Sequence, residues 1–152
     1  MKGWLKIMAN MTLYDENTSY NLIADFGNTQ TYYCSMDTST EDGKVKLFKA
    51  MSSPDEKISD CINKKIEIKD IYLDVVGVTN KEGEYNEVPR IVIIDTQGIS
   101  YSSISSGFYE SMKKFVNIFG TPDTWDKPIT IEIKQRETRS GNRTFSFEVV
   151  TK

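Results

Sequence analysis

Short runs of β-branched and aromatic residues follow one another from residue 64 to the end of the chain, and this pattern constrains the fold more than any other feature. Five runs have this character: Ile66–Val75, Val88–Asp95, Ile99–Ile104, Ile129–Ile133 and Phe145–Val149. Their apolar residues largely recur with a period of two, which is typical of β-strands because successive side chains point to opposite faces. In the first run the apolar phase slips by one residue at Lys69–Asp70, which predicts a bulge or a bend.

One helical segment interrupts the strands, between the third and the fourth run. It begins at Gly107, stops at Gly120, and places five apolar residues on one face: Phe108, Met112, Phe115, Val116 and Phe119. Three strands, a helix and two strands, with a bent first strand, are the order of the OB-fold, a five-stranded Greek-key barrel. We therefore predict a mostly β (α+β) chain with an OB-fold domain over residues 64–152.

Residues 1–63 are predicted to form a small hairpin-plus-helix extension of the barrel. Alternation over residues 20–26 and 32–36, on either side of a turn, predicts the hairpin. Helical spacing predicts a helix over residues 41–51, and the Ser-Pro-Asp-Glu start of residues 53–62 predicts a second, short helix. The apolar face of the first helix requires a larger partner surface than the hairpin offers, so we expect the extension to pack on the barrel.

The residue types that are missing exclude several kinds of active site. The 152 residues include no His, which excludes His-based triads and His-ligated zinc. Cys34 and Cys61 form no C-x-x-C pair, so we interpret them as reduced, packed thiols and not as zinc ligands. Asp95 ends an apolar strand before Thr-Gln-Gly and is interpreted as a turn residue. Since there is no glycine-rich phosphate loop either, the sequence predicts no cofactor, no bound metal and no enzymatic activity.

The chain is acidic overall but basic near its C-terminal end. The formal net charge is −3, which excludes a uniformly basic coat protein of the histone type. Residues 128–152, however, hold five basic and three acidic residues. Because a polyanion responds to the local field and not to the total charge, a local basic stripe is compatible with this composition.

The sequence predicts no contact with a membrane. No apolar run approaches the ~20 residues that a membrane-spanning helix needs. The apolar residues at the N-terminus are interrupted by Lys6 and are too few for the core of a signal peptide. We therefore expect an intracellular protein without a membrane partner.

Three stretches of the chain carry a resemblance: Lys64–Ile71 (KKIEIKDI), Pro89–Gly98 (PRIVIIDTQG), and Phe108–Ile129 with its Phe-Gly-Thr-Pro and Trp125. Together they resemble the single-stranded DNA-binding proteins of tailed bacteriophages with Gram-positive hosts. The resemblance implies an OB-fold protein that coats replication or recombination intermediates in the cytoplasm of the host cell, without enzymatic activity. It implies single-stranded DNA as the partner, and replication or recombination proteins as further partners. The oligomeric state stays open.

An OB barrel binds single strands in a basic groove whose aromatic side chains stack on bases, each stack contributing ~1–3 kcal/mol. The groove lies over the second and third strands, between the loops that join the first strand to the second and the fourth to the fifth. We predict nucleic-acid binding by eight residues: Tyr72, Tyr85, Arg90, Tyr101, Lys134, Arg136, Arg139 and Arg143.

The alternation of inward-facing and outward-facing positions along each strand, here called strand parity, predicts where these residues lie. Tyr72 and Arg90 fall on outward-facing positions, Tyr85 lies in the first loop, and the facing of Tyr101 stays open. The basic residues lie on the fourth strand and in the loop Thr138–Arg143, where a flexible phosphate clamp is expected. For the basic loop the alternative is a solvated hairpin tip. The phenylalanines of the fifth strand are interpreted as core residues.

Three functions from different classes fit the sequence. The first is non-enzymatic binding of single-stranded DNA. The second is a protein-interaction module, a phage factor that binds a host defence or replication protein through its acidic N-terminal third. The third, ranked last, is a nuclease that holds its metal with carboxylates alone. Fluorescence titration with oligo-dT separates the first from the second, and magnesium-dependent cleavage would reveal the third.

Overall fold

The strands that follow residue 64 form one continuous sheet in the computed structural model, which describes residues 32–151. Within those residues the strands are β1 (Tyr33–Cys34), β2 (Glu56–Lys57), β3 (Lys65–Thr79), β4 (Tyr85–Asp95), β5 (Ser100–Ser103), β6 (Ile129–Glu137) and β7 (Arg143–Val149). The helices are α1 (Glu41–Ser52) and α2 (Ser106–Phe119), with short 3₁₀ turns at Ile58–Asp60 and Pro122–Thr124. In this part of the chain, no helix is long and apolar enough to cross a membrane.

The sheet curls into a half-barrel because β3 is shared between its two halves. The strand order is β2-β5-β4-β3-β6-β7, with β1 added to the free edge of β3. The first residues of β3, 65–68, pair with β6, and the rest of β3 pairs with β4. The register of the β3–β4 pair shifts between Ile68 and Asp70, which confirms the predicted irregularity at Lys69–Asp70.

The inner face of the curled sheet forms the main core, which α2 covers. Fully buried members of this core include Ile66, Ile71, Ile93, Phe108 and Ile133. Helix α2 occupies the segment with predicted helical spacing. The Ser105 hydroxyl caps its start by accepting a hydrogen bond from the Phe108 amide, and Gly120, at φ 79°, ends it. Phe145, Phe147 and Val149 pack against the same core, as their alternation predicted.

The outer face of β3 and β4 is also covered. Helix α1 spans the predicted 41–51 segment and places Leu47 and Ala50 in a second cluster with Tyr72, Val92 and Ile94. The central strands therefore have apolar neighbours on both faces. This arrangement decides which of the predicted site residues reach solvent.

The second predicted helix, over residues 53–62, is wrong. This segment contains β2 and a 3₁₀ turn, and β2 runs parallel to β5. Asp55 and Ser100 exchange hydrogen bonds: the Asp55 amide donates to the Ser100 hydroxyl, and the Ser100 amide donates to the Asp55 carboxylate, both at 2.9 Å. Because these bonds and the burial of Ile58 hold the segment along β5, tertiary contacts override the local helix signal.

The predicted extension is only partly within the described residues. Its hairpin strand over residues 20–26 lies outside them, while Tyr33–Cys34, in the other predicted strand, pairs with Tyr72 and Leu73 of β3. The division into residues 1–63 and 64–152 stays a prediction. What the structure describes is that α1, β1 and β2 all contact the sheet.

A substitution at Gly43 tests how closely α1 packs against the backbone of Asp37. It is buried in the first turn of α1, and an added Cβ would overlap the backbone carbonyl oxygen of Asp37. We expect Gly43→Ala to lower the free energy of unfolding by about 1–3 kcal/mol, although Ala forms helices better than Gly. Urea denaturation measures the change. Lys44→Ala, at the exposed neighbouring position, is the control and should stay within ~0.5 kcal/mol; a stabilised Gly43→Ala variant would contradict the close contact.

Candidate nucleic-acid interface

The hairpin formed by β6 and β7 carries three arginines, Arg136, Arg139 and Arg143, all of them exposed. Its turn is closed by hydrogen bonds from the Thr138 amide to the Asn142 carbonyl at 2.7 Å and from the Gly141 amide to the Thr138 carbonyl at 3.0 Å. Among residues 32–151, none of the three guanidinium groups forms an ion pair. Their charge is therefore available to a phosphate, which is what a binding stripe needs.

Lys134, on the same hairpin, is already engaged. Its ammonium group forms an ion pair with Glu132 and lies 3.4 Å from the Asn63 side-chain oxygen. The bond to Glu132 raises the pKa of Lys134 and lowers that of Glu132. Since its charge is matched locally, Lys134 has less positive potential to offer a strand than the three arginines have.

Arg90 does not project freely, contrary to the sequence-based prediction. Its guanidinium makes a bidentate pair with Asp74, with Nε 2.9 Å from one carboxylate oxygen and a terminal nitrogen 2.6 Å from the other. These bonds raise the pKa of Arg90. The same carboxylate accepts a bond of 2.7 Å from the Tyr72 hydroxyl. The Arg90 side chain is mostly buried, and the Asp74 carboxylate neutralises its charge. The bidentate geometry is the one that suits a guanidinium and a carboxylate.

Tyr72 and Tyr101 are both buried, and their part in nucleic-acid binding stays a prediction. The strand parity of Tyr72 was read correctly as the outer face, but α1 and Tyr32 cover that face and leave Tyr72 0% exposed. Tyr101 is 1% exposed on the inner face, and its hydroxyl donates to Asp95 at 3.1 Å. Burial raises the pKa of both phenols. Neither ring is open to a base in this structure.

Tyr85 is the one predicted tyrosine that is exposed, at 55%. It begins β4 on the two-stranded ribbon formed with the end of β3, and its ring lies over Gly77, where an added Cβ would collide with the ring. Val75 shares this face of the ribbon and is also exposed. The neighbouring loop is acidic, so Tyr85 has stacking surface to offer a base but little positive charge around it.

The remaining polar candidates form local structure. Asp95 accepts hydrogen bonds of 2.9 Å from the Gln97 and Ile99 amides, which confirms its interpretation as a turn residue. Burial raises the pKa of the Cys34 and Cys61 thiols and so disfavours the reactive thiolate. Across the described chain no group of three or more His, Cys, Asp or Glu side chains is placed to hold a metal ion.

Sequence reasoning missed the serine-rich segment that faces the basic hairpin. Five of the seven residues from 100 to 106 are serine. Ser105 connects this segment to β7, because its hydroxyl lies 3.3 Å from that of Thr144 and accepts a bond of 3.4 Å from the Phe145 amide. The number of serines in this segment was the signal that the sequence offered. An analysis of periodicity treats serine only as a polar strand position, however, and does not show which strand lies opposite.

A family described as Phage Single-stranded DNA-binding protein matches residues 26–150 of the chain. The chain belongs to this family. The match spans the described sheet, both helices and the basic hairpin, and it confirms the predicted resemblance to phage single-stranded DNA-binding proteins. Neither the curated proteins nor the solved structures contain a match to the chain. The family match thus supports single-stranded DNA binding in a bacteriophage as the function of the chain.

Proposed function

We propose that this phage single-stranded DNA-binding protein holds the DNA backbone on the β6–β7 hairpin and stacks a base on Tyr85. The observation that carries the proposal is a set of three exposed arginines that form no ion pair within residues 32–151, Arg136, Arg139 and Arg143, in an acidic protein. Exposed cations bind phosphates and release counterions, and this supplies affinity for any base sequence. We further propose that it coats replication or recombination intermediates in the host cytoplasm, a role that suits binding without sequence preference.

The strand order supports an OB-fold as the basis of this arrangement. Strands β3, β4 and β5 form an antiparallel meander, β3 also pairs with β6, and β6 pairs with β7. We infer that these five strands are the barrel strands. In an OB-fold the binding groove is flanked by the loop between the first two strands and the loop between the last two. Those loops are here the ones next to Tyr85 and around Arg139, the two features with exposed binding chemistry.

We propose that binding is not accompanied by cleavage. The described residues include no cluster of three or more His, Cys, Asp or Glu side chains that could hold a metal ion, and burial raises the pKa of the Cys34 and Cys61 thiols. Plasmid DNA and labelled oligonucleotides should stay intact with the protein in the presence of magnesium or manganese. Nicking that Asp95→Ala abolishes would overturn this part of the proposal.

The proposed function is tested by titrating labelled oligo-dT with the protein across a range of salt concentrations. We expect the logarithm of the affinity to fall linearly with the logarithm of the salt concentration. An unlabelled single strand should compete better than a duplex of the same length, because stacking on Tyr85 requires an unpaired base. Equal competition by both forms, or no binding at low salt, would contradict the proposal.

Tyr85 should contribute to affinity without contributing to the salt dependence. We expect Tyr85→Ala to weaken oligo-dT binding about tenfold, because one base loses its stacking partner. The slope of affinity against salt should stay the same, because no cation is removed. Tyr85→Phe keeps the ring and is the matched control, with an affinity near that of the wild type. A changed slope for Tyr85→Ala, or the same loss in Tyr85→Phe, would show that the ring does not act by stacking.

One observation favours the second candidate function, a protein-interaction module. On α1, Phe48 is 71% exposed and Val45 next to it on the same face is also exposed. An apolar helix face of this kind is a feature of protein contacts. If Phe48→Ser leaves oligo-dT binding intact but abolishes association with a replication or recombination protein, both functions belong to the same chain.

A further inference from the structure

A cleft of about 750 Å³ separates the serine-rich segment from the basic hairpin. One wall is Ser102–Ser106, from the end of β5 to the start of α2, and the other is the hairpin from Thr138 to Phe145. Lys57 and Ser59 complete the lining. Within residues 32–151 the cleft lies between two strands that do not pair with each other, since β5 pairs with β4 and β2 while β7 pairs with β6. We call it the serine cleft.

The charge of the serine cleft differs from that of a second cleft in the described residues. Among the described residues that line it there are two cations, Lys57 and Arg143, and no Asp or Glu. The comparison is a second cleft, of about 610 Å³ between α1 and the bulge of β3, whose lining mixes three lysines with four carboxylates: Asp37, Asp42, Asp70 and Asp126. In a chain of net charge −3, a cleft whose described charged residues are both cations favours an anionic ligand.

An apolar surface at the rim of the serine cleft adds a second kind of contact. Ile104 lines the cleft and is 52% exposed, and Phe145 lines it from the opposite wall. A ligand that matches the whole lining therefore has an anionic part and a flat apolar part. A nucleotide unit of a single strand has both, in its phosphate and its base.

The walls of the serine cleft are held in place before any ligand binds. The Ser105 hydroxyl contacts the Thr144 hydroxyl and accepts from the Phe145 amide, which ties the two walls together. The Ser103 hydroxyl accepts a bond of 3.1 Å from the Ser105 amide. Ser106 is exposed at the first position of α2. A cleft that is already formed costs little conformational entropy on binding.

We propose that the serine cleft binds one nucleotide unit of the DNA strand. Lys57, Arg143 and the hydroxyl of Ser106 contact its phosphate, and Ile104 packs against its base. This inference rests on the proposed function and extends it, because it adds Lys57 and the segment Ser102–Ser106 to the residues that contact the strand.

The charge part of the proposal is tested with Ser106→Glu. A carboxylate at the first position of a helix stabilises it through the helix dipole, so this variant should be at least as stable as the wild type. We expect it to bind labelled oligo-dT about tenfold more weakly at low salt, because the new charge repels the phosphate in the cleft. Asn117→Glu places the same charge on an exposed position of the same helix outside the cleft lining and is the control, with affinity near wild type.

The apolar part is tested with Ile104→Ala. We expect about a fivefold loss of oligo-dT affinity, because an apolar contact is lost. The slope of affinity against salt should not change, because the number of released counterions stays the same. Ile118→Ala, at an exposed isoleucine of α2 that does not line the cleft, is the control and should bind like the wild type. Thermal melting monitored by circular dichroism verifies that all four variants fold.

The outcomes separate the serine cleft from the proposed function. If the wild type binds oligo-dT and the hairpin arginines control its salt dependence, but Ser106→Glu and Ile104→Ala bind like the wild type, the cleft proposal is overturned and the proposed function stands. The cleft is also overturned if the two control variants weaken binding as much as the cleft variants do. If the wild type fails to bind oligo-dT at low salt, the proposed function fails and the cleft proposal with it.

Discussion

The double variant Arg136→Glu with Arg139→Glu is expected to bind oligo-dT about 100-fold more weakly than the wild type at low salt. Two phosphate contacts are lost, and two new carboxylates repel the backbone that the arginines attracted. The slope of affinity against salt should also become smaller by about two, since fewer counterions are released. Fluorescence anisotropy of a labelled oligo-dT, measured at several salt concentrations, gives both quantities.

The control for this variant has the same change in charge at another place. Lys113→Glu with Lys114→Glu alters two exposed cations on α2, outside the hairpin. If affinity depended only on the net charge of the protein, both double variants would lose it equally. We expect the α2 variant to stay within about threefold of the wild type, because the contribution of a distant exposed charge is screened by salt. Equal losses would show that the hairpin is a solvated edge and that the strand binds elsewhere.

Periodicity predicted the framework of the fold because the strands and α2 each bury one face. The bulge at Lys69–Asp70 was readable for the same reason, since a slip in apolar phase moves side chains to the other face. Local signals failed where distant contacts decide the conformation. The Ser-Pro-Asp-Glu segment has the start of a helix, but Asp55 bonds to Ser100, which is 45 residues away. No local pattern contains that partner.

The burial of Tyr72 and the pairing of Arg90 could not be predicted for a different reason. Parity correctly separated the two faces of β3 and β4, but a face that points away from the barrel core is not necessarily exposed. Helix α1 covers Tyr72, and Asp74 neutralises Arg90. The arginines of the β6–β7 hairpin reach solvent because they lie at and beside its turn. The serine cleft was missed since it forms between segments about 40 residues apart.

Because Tyr72 is buried, replacing it is expected to have the second large effect, a loss of folding stability. We expect Tyr72→Ala to lower the free energy of unfolding by about 3–5 kcal/mol, the range for removing a large aromatic side chain from a packed site. The ring fills the space between α1 and the sheet, next to Leu47 and Val92, and none of it is exposed. A loss of this size is a large fraction of the stability of a small protein. Urea denaturation followed by circular dichroism measures it.

Tyr72→Phe distinguishes this structural role from a role in stacking. The variant keeps the ring and removes only the hydroxyl that donates to Asp74, a carboxylate that still holds its two bonds to Arg90. We expect it to lose about 1 kcal/mol of stability and to bind oligo-dT like the wild type. If Tyr72 instead stacked on a base, Tyr72→Ala would weaken binding at a temperature where it is fully folded, with stability close to that of Tyr72→Phe. That pair of results would mean that α1 moves away from β3 and β4 when DNA binds.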